Sequence, residues 1–138
     1  MNAYLNASVI VPLFLEDPFT ARAVAVLRTP NLRPVVSDWA ALEVSNVISR
    51  RLRIQALTLT EALTILSDFD LCRGRSALAA ESTPTDIAGA TLHVRRFELI
   101  LRGPDAVHLA VAQRLGASLY TSDERMAVAA AALDLALA

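Results

Sequence analysis

The chain has 138 residues, enough for one domain with a real core and too few for two ordinary ones. Its apolar fraction of 54% and mean hydropathy of +0.44 are high, but alanine supplies much of both, and charges interrupt the longest apolar stretches well short of a membrane span. A net charge of -1, from 13 basic and 14 acidic residues, gives no global support to nucleic-acid binding. The single Cys72 excludes an internal disulfide and fits a reducing compartment, so the expected location is the cytoplasm.

Residues 3–5 read as a short buried strand that breaks at Asn6. Residues 8–14 then have helical spacing and stop near Glu16-Asp17-Pro18, because proline disfavours helix in the residue before it. A second helix is predicted over Thr20 to Leu27, and Val35-Val36 is a second strand. Ser37 or Asp38 caps the helix that follows, where Ala40, Val44, Val47 and Ile48 recur at helical spacing. Residues 60–69 predict another helix, with Thr60 as its cap and Leu63 and Leu66 facing inward. Residues 82–85 end a short third strand, and Asp86 opens a helix running toward Phe97. Gly103-Pro104 starts the next helix, proline being tolerated in a first turn, and Gly116 stops it. Residues 118–121 form a fourth strand, 124–132 a last helix and 135–137 an abbreviated edge strand. Strands alternating with helices predict an α/β fold with a mainly parallel sheet of four or five strands covered on both faces. No repeat, low-complexity tract or linker interrupts the chain, so one domain over residues 1–138 is expected.

Every basic residue is arginine, grouped as Arg50-Arg51-Arg53, Arg73-Arg75 and Arg95-Arg96 followed by Arg102. Arginine gives planar, multi-donor phosphate contacts, so one or two groups are candidates for a nucleic-acid backbone and the rest for a solvated or partner-facing surface.

In an open parallel sheet, ligands sit beyond the carboxyl ends of the strands. Asn6 follows the first strand, and Asp123 follows the fourth by a Thr-Ser step. Asp105 lies in the first turn of a helix, where free N–H groups favour a carboxylate, so plain helix capping is an open alternative for both acids. Glu43 sits on or beside the inward stripe of its helix, where a carboxylate is costly unless it meets an arginine or a metal. Clustered carboxylates stay ionised when a cation compensates them, and hard oxygen donors suit Mg²⁺ or Mn²⁺, which can activate water and stabilise charge on a phosphoryl oxygen. No histidine or cysteine pair suggests zinc. The lone His108, between Val107 and Leu109, reads as a packed or supporting group.

Taken in order, Tyr4-Leu-Asn-Ala-Ser-Val9, Glu43 within Ala41-Leu-Glu-Val-Ser-Asn46, Pro104-Asp-Ala-Val-His-Leu-Ala110 and Arg114-Leu-Gly-Ala-Ser-Leu-Tyr-Thr-Ser-Asp123 form a specific pattern. The chain resembles the PIN-domain ribonucleases, and within them the small VapC-type toxins of bacterial toxin–antitoxin modules, over nearly its whole length. That resemblance implies a three-layer α/β/α sandwich and a Mg²⁺- or Mn²⁺-dependent endoribonuclease site. It further implies a homodimer held inactive by a cognate antitoxin, with RNA as substrate; the charges that interrupt the apolar stretches argue against membrane association. It carries Glu43, Asp105 and Asp123 onto the family's acidic metal site and Asn6 onto the position of its first aspartate. Ser8 matches a small hydroxyl residue near that site, with Thr121 or Ser122 in a similar supporting role.

Asn6 departs from the family pattern. An amide adds no negative charge and cannot act as a base. Natural divergence and an introduced inactivating substitution would leave the same residue, and the otherwise intact pattern points to substitution in a toxic parent. The chain as written is therefore expected to be an impaired or inactive nuclease. The alternative is a PIN-like domain that works through protein binding. A phosphoacceptor signalling domain fits less well, since its phosphoryl group typically needs a lysine and this chain has none.

Overall fold

A computed structural model describes residues 1–138. Four strands, β1 (Asn2–Leu5), β2 (Arg33–Ser37), β3 (Leu78–Ala80) and β4 (Ser118–Tyr120), form one sheet in the order β3-β2-β1-β4. All three pairings are parallel, with Tyr4 in register with Val35 on one side and with Leu119 on the other. β1 is a central strand, which is why Ala3, Tyr4 and Leu5 form an unbroken apolar run rather than an alternating one.

The two faces divide the core by the strand period of two. Tyr4, Val35 and Leu119 point to the side covered by α5 (Pro84–Arg95), α6 (Gly103–Leu115) and α7 (Glu124–Ala132). Ala3, Leu5, Val36 and Tyr120 point to the other side, where they meet α1 (Ala7–Ile10), α2 (Thr20–Leu27), α3 (Asp38–Arg53) and Phe69 of α4 (Leu59–Ser76). The result is the expected three-layer α/β/α sandwich. Its sheet has four strands, because residues 135–137 contribute only an isolated bridge from Leu137 to Leu119.

Local chemistry explains where other boundaries moved. The 8–14 segment splits into α1 and a 3-10 turn over Val11–Leu13, since Pro12 cannot donate the amide that a continued α-helix needs. α4 starts earlier than Thr60 because Thr58 and Glu61 form a reciprocal capping box, and it runs on to Ser76. Its inward face carries Ala62 and Phe69, with Leu63 exposed and Leu66 half-buried. β3 lies upstream of residues 82–85, which instead lead into a second capping box between Thr83 and Asp86. Ser37, not Asp38, caps α3 by accepting the Ala40 amide. Gly116 ends α6 at φ +58°, a left-handed geometry that glycine adopts without a side-chain penalty.

The strand order places the functional edge. From β1 the chain moves one way to β2 and β3, then returns to β4 on the opposite side of β1. The crevice between the carboxyl ends of β1 and β4 is the switch point of the sheet.

Candidate active site

A cleft of about 490 Å³ opens at that switch point. Asn6 and Ser8 reach it from the turn after β1, Ser122 and Asp123 from the loop after β4, Glu43 from α3 and Asp105 from α6. Four segments far apart in sequence are thus brought to one cleft. Thr121 is not part of the lining and acts through hydrogen bonds behind it.

Asn6 is the N-cap of α1, its Oδ1 accepting the Ser8 amide at 2.9 Å. That bond fixes the amide orientation, because only the oxygen can accept an N–H. Nδ2 is left without a partner within the chain, so the free end of this side chain is a donor where an aspartate would place a second oxygen. The Ser8 hydroxyl accepts the Ser122 amide at 2.9 Å and lies 3.3 Å from Thr121 Oγ1, which in turn accepts the Asp123 amide at 3.1 Å. This hydroxyl pair ties the loop after β4 to the turn after β1.

Asp123 caps α7, with Oδ1 accepting the Met126 amide at 3.0 Å. Asp105 makes no cap; its Oδ2 accepts from Arg102 Nε at 3.0 Å. The hydrogen bond to Asp105, then the charges of Asp105, Asp123 and Glu43, hold the Arg102 guanidinium above its ordinary pKa. Glu43 is half-buried and meets a histidine rather than an arginine, its Oε2 lying 2.6 Å from Nε2 of the fully buried His108. Trp39 Nε1 donates to the Pro104 carbonyl at 3.1 Å, joining the start of α3 to the start of α6.

The cleft also contains residues that the pattern of acids did not single out. Asn46 lies one helical turn after Glu43, and Arg51 lies further along the same helix. Asp17 caps locally by accepting the Phe19 amide at 2.7 Å, and it also lines the cleft. The most deeply buried acid is elsewhere. Asp86 is 2% exposed and is clamped by Arg114 through Nε at 2.7 Å and a second guanidinium nitrogen at 2.9 Å. Burial pushes its carboxyl pKa up, but Arg114 and the Thr83 amide and hydroxyl outweigh that and hold it below the usual range.

Hard oxygen donors line the cleft, which is the chemistry Mg²⁺ or Mn²⁺ takes. No three acidic or imidazole groups lie close enough, as the side chains stand, to enclose an ion among themselves. Glu43, Asp105 and Asp123 each have one oxygen engaged in the fold and one without a partner in the chain. Such a set fits an ion held by one or two carboxylates with water completing its shell, the arrangement magnesium commonly keeps.

The family model for the PIN domain matches residues 3–132. No curated protein matches by sequence. Among solved structures, the chain is similar to Mycobacterium tuberculosis VapC20, a sarcin-ricin loop cleaving toxin, with TM-score 0.74 and 17% identity over 92% of this chain and 94% of that one. It is also similar to VapBC2 from Rickettsia felis bound to a DNA fragment from their promoter, with TM-score 0.73 and 13% identity over 100% and 98% of the two chains. FitAcB from Neisseria gonorrhoeae gives TM-score 0.69 and 16% identity over 98% and 95%.

Proposed function

Because the chain belongs to the PIN-domain family, we propose that it is built as a metal-dependent endoribonuclease toxin of the VapC type, impaired as written by Asn6. The observation that carries this reading is the meeting of Asn6, Glu43, Asp105 and Asp123 on one cleft at the switch point of the sheet. Asp105 would be the main metal carboxylate, with Glu43 and Asp123 completing the set beside residue 6. Mg²⁺ or Mn²⁺ held there supplies polarisation of water and neutralisation of charge on a phosphoryl oxygen. Arg51 and Arg102, both in the cleft wall, are suited to hold phosphate in register without reading bases. Ser8, Thr121 and Ser122 keep the Asp123 loop against the Asn6 turn, so that the two sides of the cleft are positioned together.

The proposed setting is the cytoplasm, with RNA as substrate, a cognate antitoxin and a second copy of the chain as partners. Similar structures include VapBC and FitAB assemblies, and a small apolar recess of about 60 Å³ lined by Leu13, Phe14, Leu27 and Phe69 offers a partner an apolar contact. No helix is long and apolar enough to cross a membrane. A binding-only PIN-like domain is the second reading, favoured by the Nδ2 donor that Asn6 presents where a carboxylate would bind metal.

Asn6→Asp separates the two. The purified variant, free of antitoxin, should cleave members of a mixed pool of transfer, ribosomal and messenger RNA in Mg²⁺ or Mn²⁺. Cleavage should stop in EDTA and fall at least a hundredfold when Asp105→Asn is added. Cleavage indifferent to both controls contradicts the metal mechanism, and an intact pool favours the binding-only reading.

A further inference from the structure

Behind Glu43 runs a buried chain of polar groups that the nuclease reading does not use. His108 Nδ1 lies 2.7 Å from the Tyr4 hydroxyl, which lies 2.7 Å from Ser37 Oγ, which accepts the Ala40 amide at 3.0 Å. Tyr4, Ser37 and His108 are all fully buried. Each stands beside a different part of the site. Tyr4 lies on β1 two residues before Asn6, Ser37 caps the helix that bears Glu43, and His108 is one turn after Asp105.

One arrangement of hydrogens satisfies the whole relay. His108 Nε2 donates to Glu43 Oε2 at 2.6 Å, Nδ1 accepts from the Tyr4 O–H, Tyr4 accepts from the Ser37 O–H, and Ser37 accepts from the Ala40 N–H. Every group in the relay is satisfied once in each direction. Burial holds the Tyr4 phenol well above its ordinary pKa and so keeps its proton in place.

We propose that His108 is the positioning residue for Glu43: it holds Oε2 against the core, presents Oε1 to the cleft, and is itself oriented by Tyr4 and Ser37. This rests on the reading of Glu43 as a metal carboxylate. The competing account is that the relay only fastens α6 and α3 to the sheet.

A pair of amides distinguishes them. A glutamine at 108 places its NH₂ near the position of Nε2 and can still donate to Glu43. An asparagine reaches only the Nδ1 position, keeping Tyr4 and losing Glu43. In the Asn6→Asp chain, calorimetric titration with Mn²⁺ at fixed pH should give an affinity for His108→Gln, which keeps the donor to Glu43 and loses the Tyr4 contact, weaker by about threefold, and for His108→Asn weaker by about 10- to 100-fold, the range seen when groups orienting a metal ligand are removed. Tyr4→Phe preserves the ring volume and should weaken Mn²⁺ about threefold or more by freeing the imidazole; it decides the matter if His108→Asn does not fold. Mn²⁺ binding that Asp105→Asn abolishes, but that is equal in the Gln and Asn variants or unchanged by Tyr4→Phe, overturns the positioning role alone. An Asn6→Asp chain that binds no Mn²⁺, or whose binding ignores Asp105→Asn, overturns the metal reading and the positioning role with it.

Discussion

Asn6→Asp should change the response to metal much more than it changes the fold. The only intramolecular side-chain bond of Asn6 is the 2.9 Å cap on the Ser8 amide, and an aspartate oxygen can make the same bond. Asn and Asp rank alike as N-caps. The added charge faces Glu43, Asp105 and Asp123 across the cleft, so in EDTA a loss of up to about 1 kcal/mol is expected, in line with partly solvated like-charge contacts. With an ion the balance reverses. Even at the dielectric of water, one unit charge about 4 Å from a divalent ion contributes about 2 kcal/mol, or roughly thirtyfold in affinity. At Mn²⁺ about 100 times the dissociation constant of the aspartate form, binding stabilises that form by about 2.7 kcal/mol and the present chain by about 0.9 kcal/mol. At roughly 4 °C per kcal/mol for a chain of this size, the melting temperature should rise by about 10 °C and about 4 °C respectively. Scanning calorimetry of both chains, in EDTA and in excess Mn²⁺, reads all four numbers. Equal Mn²⁺ shifts would place residue 6 outside the ion's field, and a loss beyond about 3 kcal/mol in EDTA would show that the cap had not been preserved.

Arg114→Met should destabilise the chain by about 2–4 kcal/mol at pH 7 in urea unfolding, because it leaves the buried Asp86 carboxylate without its cation. Asp86 has a depressed carboxyl pKa in the folded chain, so its contribution is complete above the ordinary carboxylate range near pH 4 and is lost as pH falls through the lower folded value. The gap between the parent and Arg114→Met should therefore close in acid, and a gap independent of pH from 7 to 2 would exclude the ion pair as its source. Ile100 adopts φ 52° while its side chain is 71% exposed, a left-handed conformation that β-branched residues resist. Ile100→Asn should raise stability by about 0.5–1 kcal/mol in the same assay, and a destabilised variant would show that the Ile100 side chain contributes more packing than its exposure indicates.

Elements with strong local signals were legible in the sequence. Thr20–Leu27 and Glu124–Ala132 have the bounds their spacing predicts, and Gly103-Pro104 and Gly116 bracket α6. The errors fell where capping chemistry competed with apolar spacing. Apolar spacing predicts Thr60 as the cap of α4 with Leu63 inward, whereas Thr58 makes reciprocal bonds with Glu61 and Leu63 is exposed. β3 was misplaced because its three residues, Leu78–Ala80, are too few to show a period of two. The cleft was legible because parallel strands bring their carboxyl ends to one edge, so residues just past β1 and β4 converge whatever separates them in sequence. The Tyr4–His108 contact spans 104 residues and crosses from β1 to α6, and nothing in either neighbourhood announces it. Asp86 and Arg114 lie 28 residues apart on adjoining helices, and their pairing became visible only with the helices packed.

Helix capping and metal ligation were competing explanations for these side chains, but a carboxylate has two oxygens and the structure divides them. Asp123 gives one to the Met126 amide, Asp105 one to Arg102 and Glu43 one to His108, each leaving the second without a partner in the chain. The bond that fixes each side chain therefore does not consume its capacity to hold an ion. Asn6 follows the same division with a different result. Its oxygen goes to the Ser8 amide and its nitrogen is left over, so the local fold receives all it would from aspartate while the cleft loses a charge and gains a donor. Under the proposed nuclease reading, asparagine at this position would weaken the site without loosening the helix it begins. The cap at Asn6 and the buried relay behind Glu43 thus leave free the groups that the proposed site would use.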